Sequence, residues 1–403
     1  MVKIRVEEEG RIRFPEGYEE RWGLDEGREF IVEPTEDGFA LRQARPDARR
    51  AYVEVTARCN LNCAICVRQV WRDHPGDMSW ETFTAIVEQL RSFLDPSGLS
   101  PSGRSLRQVT FGGFGEPLIH PHIVEMIRRT GELGVETTIT TNGLLLDRAM
   151  AEQLLEAHLG TVVVSLDTIH IQAYREARLE QGLDQVLENV RTLRALAAER
   201  RLLVPRIGLE FVATKSNREE LTKLPGLASA LGASFVLVSN LLPHRPEMME
   251  ELLYDSDQPL PIPIGWHAPR ADWLLWGIVK LPRMKWGAQR RCRFIEDHSL
   301  VIGWDGSVVP CYALMHSYPY FIYGEPKEVS RYVLGNAMER PLVEIWTSEE
   351  YVRFRAKVRE FRFPSCVDCG LTGCDYRAAN EDCWGDVPSC ADCLWAQDIV
   401  RCP

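Results

Sequence analysis

Cys59-Asn60-Leu61-Asn62-Cys63-Ala64-Ile65-Cys66 is the stretch on which the reading of this chain turns. It follows a short apolar run, Tyr52–Val55, and is the first of two groups of cysteines. A Cys-x3-Cys-x2-Cys loop brings three thiolates to one face of a bound group, and iron–sulfur clusters are held by such thiolates. Three protein ligands for four irons leave one iron free to take another molecule. A structural zinc ion would need a fourth ligand, and His74 is the local candidate.

Working outward, the residues after this loop alternate between strand and helix signals. Apolar, β-branched runs fall at Tyr52–Val55, Gln108–Phe111, Glu136–Thr140, Thr161–Leu166, Ile207–Val212 and Phe235–Val238. Amphipathic patterns separate them at Trp80–Leu94, His122–Leu133, Asp147–Ala157, Leu183–Ala198 and Arg218–Leu231. Strand alternating with helix predicts an α/β domain with a parallel sheet and right-handed crossovers. Six such strands are too few for a closed eight-stranded barrel, and either an open partial barrel or a doubly wound sheet suits the pattern. Ligands of both folds bind at the C-terminal ends of the strands.

No cysteine occurs between Cys66 and Cys292, and nine lie from Cys292 to Cys402. The chain begins Met1-Val2-Lys3-Ile4-Arg5 and runs into Glu7-Glu8-Glu9, which has no signal-peptide character. No apolar run approaches the roughly 18 residues of a membrane span. A cytoplasmic protein is expected, and there thiols stay reduced, so metal or cluster ligation explains twelve cysteines better than disulfides. The 403 residues carry 47 basic and 58 acidic side chains, net −11. Such a field repels nucleic-acid phosphates unless a local basic patch overrides it.

The loop spacing after the first strand of a βα-repeat domain resembles the radical SAM superfamily. That resemblance implies a partial (β/α)6 barrel and a catalytic [4Fe–4S] cluster on Cys59, Cys63 and Cys66, whose open iron chelates S-adenosylmethionine (SAM). Reductive cleavage then yields a 5′-deoxyadenosyl radical. Gly112-Gly113-Phe114-Gly115-Glu116-Pro117 stands where the family keeps a Gly-Gly-Glu-Pro-type turn. Thr140-Thr141-Asn142-Gly143 and Ser165-Leu166-Asp167 end the next two strands. The resemblance makes Gly112, Gly113, Gly115, Glu116, Thr141, Asn142, Ser165 and Asp167 the nucleoside-binding candidates. Many members carry an aromatic residue before the third cysteine, where this chain has Ile65.

The later cysteines, Cys292, Gly306-x4-Cys311, Cys366-x2-Cys369-x4-Cys374, Cys383, Cys390-x2-Cys393 and Cys402, would by themselves also suit zinc ribbons. Attached to such a core they resemble the SPASM extension, which implies two auxiliary [4Fe–4S] clusters. The likeness assigns Cys292, Cys311 and Cys383 to the nearer one. Cys366, Cys369, Cys374 and one of Cys390 or Cys393 go to the farther one. Cys402 or the other member of that pair completes the nearer site, and one cysteine is spare.

Gly76-Asp77-Met78, Phe111–Leu118, Cys292-Arg293-Phe294, Trp304-Asp305-Gly306 and Cys393-Leu394-Trp395-Ala396-Gln397 are similar to the radical SAM/SPASM maturases of tungsten-cofactor oxidoreductases. This likeness implies a tungsten or molybdenum oxidoreductase, or a small polypeptide, as the target. It also implies an electron donor such as a ferredoxin or flavodoxin. A ribosomal-peptide maturase forming thioether or carbon–carbon crosslinks is the enzymatic alternative. A redox-sensing DNA-binding regulator is the non-enzymatic one.

The resulting organisation is a β-rich module over 1–45, the partial barrel over 51–240, a Trp- and Pro-rich bridging segment over 241–290 and the cluster domain over 291–403. The first module, with Gly10-Arg11-Ile12-Arg13-Phe14-Pro15, a short helix to Leu24 and Gly27 before two strands, resembles an AbrB-like swapped hairpin. Residues 1–50 hold 10 basic and 13 acidic side chains, net −3, so dimerisation or partner docking is expected of it ahead of DNA binding.

Overall fold

The computed structural model describes residues 5–6, 12–13, 15, 17, 30–35, 38–43, 46–94, 106–167, 182–254, 277–285, 287–366, 369 and 374–402. Of the expected N-terminal module it contains two antiparallel pairs, Arg5–Val6 with Ile12–Arg13 and Phe30–Thr35 with Gly38–Gln43. Gly10, Gly27 and the short helix to Leu24 lie outside the described residues, as do Trp266, Trp273, Trp276 and Trp286 of the bridging segment.

From Arg50 onward the alternation becomes a series of βα units. The strands are β1 (Arg50–Val53), β2 (Gln108–Phe111), β3 (Glu136–Thr141), β4 (Thr161–Leu166), β5 (Arg206–Ala213) and β6 (Phe235–Asn240). The helices between them are α1 (Trp80–Leu90), α2 (Ile123–Gly131), α3 (Arg148–Glu156), α4 (Leu183–Glu199) and α5 (Leu224–Leu231). Neighbouring strands β1 to β6 are all parallel and lie in sequence order across the sheet. A doubly wound sheet reverses direction at a switch point. This one does not, so the winding is that of a partial barrel.

Each helix forms for local reasons and is held by one face. In α1 the Ser79 hydroxyl caps the first turn by accepting from Thr82 N, and Phe83, Ile86, Val87 and Leu90 recur at helical spacing on the buried side. Asp147 caps α3 in the same way, accepting from Met150 N. Helix cover explains why β2 and β4 are almost wholly buried.

The C-terminal cysteine region is joined to the barrel sheet itself. β7 (Val279–Lys280) pairs with β6, and β8 (Ser299–Ile302) pairs in parallel with β1, Val301 opposite Tyr52 and Ile302 opposite Val53. β9 (Ser307–Val309) follows antiparallel to β8, completing with Gly335–Asn336 a ten-stranded sheet. The hairpin Tyr318–Ile322 with Glu325–Val329 stands apart from it. The 394–402 segment returns to the end of β6, where Asn240 N donates to Ile399 O (3.1 Å) and Arg401 N to Ser239 Oγ (3.0 Å). The strand ends are thus flanked by the cysteine loop after β1 and by this returning segment.

Candidate active site

Cys59, Cys63 and Cys66 lie on the loop leaving β1, all partly exposed and free of disulfides. The loop is tied down by its own backbone and by the barrel. Cys66 N donates to Cys63 O (3.1 Å), and the Arg68 guanidinium to Leu61 O (2.8 Å). Asn142, just beyond β3, donates to Asn60 Oδ1 at 2.8 Å, with its amide 3.8 Å from Cys59 Sγ. Burial pushes the Cys59 thiol up, and the Glu116 and Cys66 charges add to this. A thiolate there is therefore costly until cationic iron shares its charge. The donor set suits an iron–sulfur cluster.

The turn after β2 approaches that loop closely. Glu116 N donates to Arg58 O at 2.7 Å, and a Cβ on Gly115 would lie 2.0 Å from Thr56 O, so only glycine fits. Gly113 adopts φ +146°, and Phe114 N donates to Glu54 Oε1 at 3.2 Å. The Glu116 carboxylate, 2 % exposed, accepts from Leu118 N (3.0 Å), Thr141 Oγ1 (2.8 Å) and Asn142 N (2.7 Å). It binds the ends of β2 and β3 together. These bonds tie Glu116 to Thr141 and Asn142 at the strand ends.

A cavity of about 270 Å³ opens between the cysteine loop and the strand ends. Of the candidate residues, Cys63, Cys66, Gly113, Ser165 and Asp167 line it, while Gly112 and Gly115 stand with Glu116 behind it. Asn217 fixes the end of β4 by donating to Asp167 O (2.7 Å) and Val212 O (2.8 Å). Cys402, expected only as a cluster ligand, also lines it, and sequence reasoning missed Glu210, Asn240, Tyr312 and Trp395 as wall residues. Glu210 had a visible signal, as the lone carboxylate in the apolar run Ile207–Val212. Tyr312 had none, and Trp395 stood only within the Cys393–Gln397 stretch, since both arrive from the distant C-terminal region.

A second group of buried charges joins that region to the turn. Glu54, fully buried at the end of β1, meets His316 Nε2 at 2.9 Å, and His316 Nδ1 lies 3.4 Å from Asp73 Oδ2. Trp71 stacks on the imidazole at 3.8 Å, and Phe114 meets it edge-on at 5.9 Å. The turn, the cysteine loop and the C-terminal region therefore share one buried network, in which losing any member strands a partner.

The later cysteines differ in their surroundings. Cys292, Cys311, Cys390 and Cys393 are enclosed by the protein and act on one another. Burial pushes Cys292 up to about 12, with Cys393 adding to it, and it raises Cys311 and Cys390 for the same reasons. Cys390 is buried and the other three are partly buried, whereas Cys383 is exposed. Thiols this hard to ionise suit a metal cluster that would share their charge. Cys366, Cys369, Cys374 and Cys383 remain as a second set, with Cys369 and Cys383 exposed.

Residues 53–207 match the model of the radical SAM superfamily, and residues 292–370 match SPASM, an iron–sulfur cluster-binding domain. The chain is also 38% identical over 365 residues to the tungsten-containing aldehyde ferredoxin oxidoreductase cofactor-modifying protein of Pyrococcus furiosus, covering 87% of this chain and 96% of that one. The chain belongs to the radical SAM superfamily. A probable GTP 3′,8-cyclase of Pyrococcus abyssi is 31% identical over 196 residues, 48% of this chain and 58% of that protein. Among solved structures, Streptococcus suis SuiB bound to S-adenosylmethionine shares the fold, with TM-score 0.55 at 17% identity over 81% of this chain and 71% of that one.

As a radical SAM enzyme with a SPASM extension, the protein uses [4Fe–4S] clusters and SAM. When bound, the catalytic cluster supplies the electron that cleaves SAM to a 5′-deoxyadenosyl radical. Cys59, Cys63 and Cys66 would hold that cluster, and the Gly113 turn and the β4 end, which line the cavity beside two of them, would shape the wall for the nucleoside. Among the described residues no helix is long and apolar enough to cross a membrane.

Proposed function

We propose that this radical SAM enzyme matures a tungsten- or molybdenum-pterin oxidoreductase, acting on that protein, on a small partner polypeptide or on the bound cofactor. The observation that carries the reading is the 38% identity to a cofactor-modifying protein, because it extends over 87% of this chain and 96% of that one. Cys59, Cys63 and Cys66 hold the catalytic cluster. Cys292, Cys311, Cys390 and Cys393 hold the nearer auxiliary cluster, and Cys366, Cys369, Cys374 and Cys383 hold the farther one. An external cytoplasmic donor of the ferredoxin or flavodoxin class supplies the electrons, and the N-terminal module serves dimerisation or partner docking.

The test is to express the oxidoreductase with and without this enzyme and compare activity, metal content and intact mass. Activity dependent on the enzyme, with a changed mass of protein or cofactor, is expected. Identical oxidoreductase in both backgrounds would sink the reading. A modified short peptide found beside that result would favour the peptide-maturase alternative.

A further inference from the structure

The returning 394–402 segment closes the far side of the cavity, and the side chain it delivers there is a thiol. Cys402 shares the cavity wall with Cys63, Cys66, Ser165 and Asp167. Its position is well determined. Arg401 N donates to Ser239 Oγ, the Arg401 guanidinium donates to Lys280 O at 3.0 Å and pairs with Asp398 at 2.6 Å, and Trp395 Nε1 donates to Cys402 Sγ at 3.1 Å. In the ligand assignment proposed above, Cys292, Cys311, Cys390 and Cys393 suffice for the nearer cluster and Cys402 is the spare cysteine.

Two other buried atoms show that something polar belongs in this cavity. Tyr312 Oη (residue 5 % exposed) and Asn240 Oδ1 (residue 2 % exposed) belong to residues of its wall and have no hydrogen-bond partner among the described residues. Buried polar groups in folded proteins are nearly always satisfied. A hydroxyl able to donate and an amide oxygen able to accept therefore await a molecule offering both an acceptor and a donor.

We propose that Cys402 is a hydrogen-atom donor in this active site, its S–H quenching a carbon radical on a substrate held against Tyr312 and Asn240. An S–H bond is weaker than an unactivated C–H bond, so the transfer runs downhill. One hydrogen atom leaves sulfur and forms one C–H bond on the substrate. The sulfur-centred radical is restored to a thiol by one proton from solvent and one electron from the same external reductant that drives SAM cleavage.

The test needs no knowledge of the physiological target, so its outcome is separate from that of the maturation reading. Holoenzyme is reduced with dithionite in thiol-free D2O buffer with SAM and no substrate. The nucleoside radical is then the acceptor in the cavity, and the exchanged S–D of Cys402 its donor. Wild-type 5′-deoxyadenosine should be largely monodeuterated. The deuterated fraction should fall at least fivefold in Cys402→Ala and in Cys402→Ser, whose O–H is too strong to donate. Iron per chain and visible circular dichroism should match wild type in both variants. Low deuterium in wild type, or an equal fraction in all three proteins, would overturn the donor role. Loss of about four irons from either variant would make Cys402 a cluster ligand instead.

Discussion

Replacing Cys59, Cys63 and Cys66 together by alanine is expected to abolish 5′-deoxyadenosine formation and to remove about four irons per chain. The loss should be complete, because without the thiolates no iron remains at the cavity to chelate SAM or pass it an electron. The fold should survive. The loop is held by the Arg68 bond to Leu61 O, the Asn142 bond to Asn60 and the Glu116 N bond to Arg58 O, and none of these uses a thiol. Far-UV circular dichroism should accordingly match wild type, while iron analysis and nucleoside chromatography report the loss. Continued nucleoside formation by the triple variant would sink the assignment of the cluster to this loop.

Glu116→Ala is expected to have the next largest effect, and it acts through the wall. The substitution removes the acceptor of three buried donors, Leu118 N, Thr141 Oγ1 and Asn142 N, at once. Leaving a buried donor unsatisfied costs about 1–3 kcal/mol, so a loss of at least about 3 kcal/mol is expected. Asn142 also donates to Asn60 in the cysteine loop, so the disturbance reaches Cys59. Glu116→Gln should fall between wild type and the alanine variant. Its amide can present one oxygen, but its NH2 must then face either Leu118 N or Asn142 N. Denaturant unfolding and SAM titration should both show the order wild type, Gln, Ala. Unchanged stability and SAM affinity in Glu116→Ala would mean that the carboxylate does not hold the strand ends together.

The βα alternation and the cysteine loop were legible in the sequence because each is a local pattern, whereas the strand order that separates a partial barrel from a doubly wound sheet is not local. Alternating β-branched runs and amphipathic stretches place β1 to β6 closely, although α1 ends at Leu90 instead of Leu94, and Arg218–Lys223 forms a 3-10 turn before α5. Glu116 was legible as important, but its role was not. A carboxylate beside glycines reads as a ligand for an ammonium group, and nothing in Gly115-Glu116-Pro117 reveals three donors arriving from β3 and the following turn. The grouping of the later cysteines is not legible in the sequence for a related reason. Cys366-x2-Cys369 and Cys390-x2-Cys393 look alike in spacing, and only the burial of the second pair beside Cys292 and Cys311 tells them apart. Glu54 and His316 are separated by 262 residues, and their contact depends on β8 pairing with β1.

The most direct test of the account is electron paramagnetic resonance of the dithionite-reduced holoenzyme, about twelve irons per chain, before and after SAM is added. The account predicts that SAM shifts the signal of one [4Fe–4S]⁺ cluster and leaves the auxiliary signals unmoved. The shifted component should be missing from the Cys59/Cys63/Cys66 triple variant. Signals that SAM leaves untouched, or a SAM-dependent shift that survives in the triple variant, would contradict it.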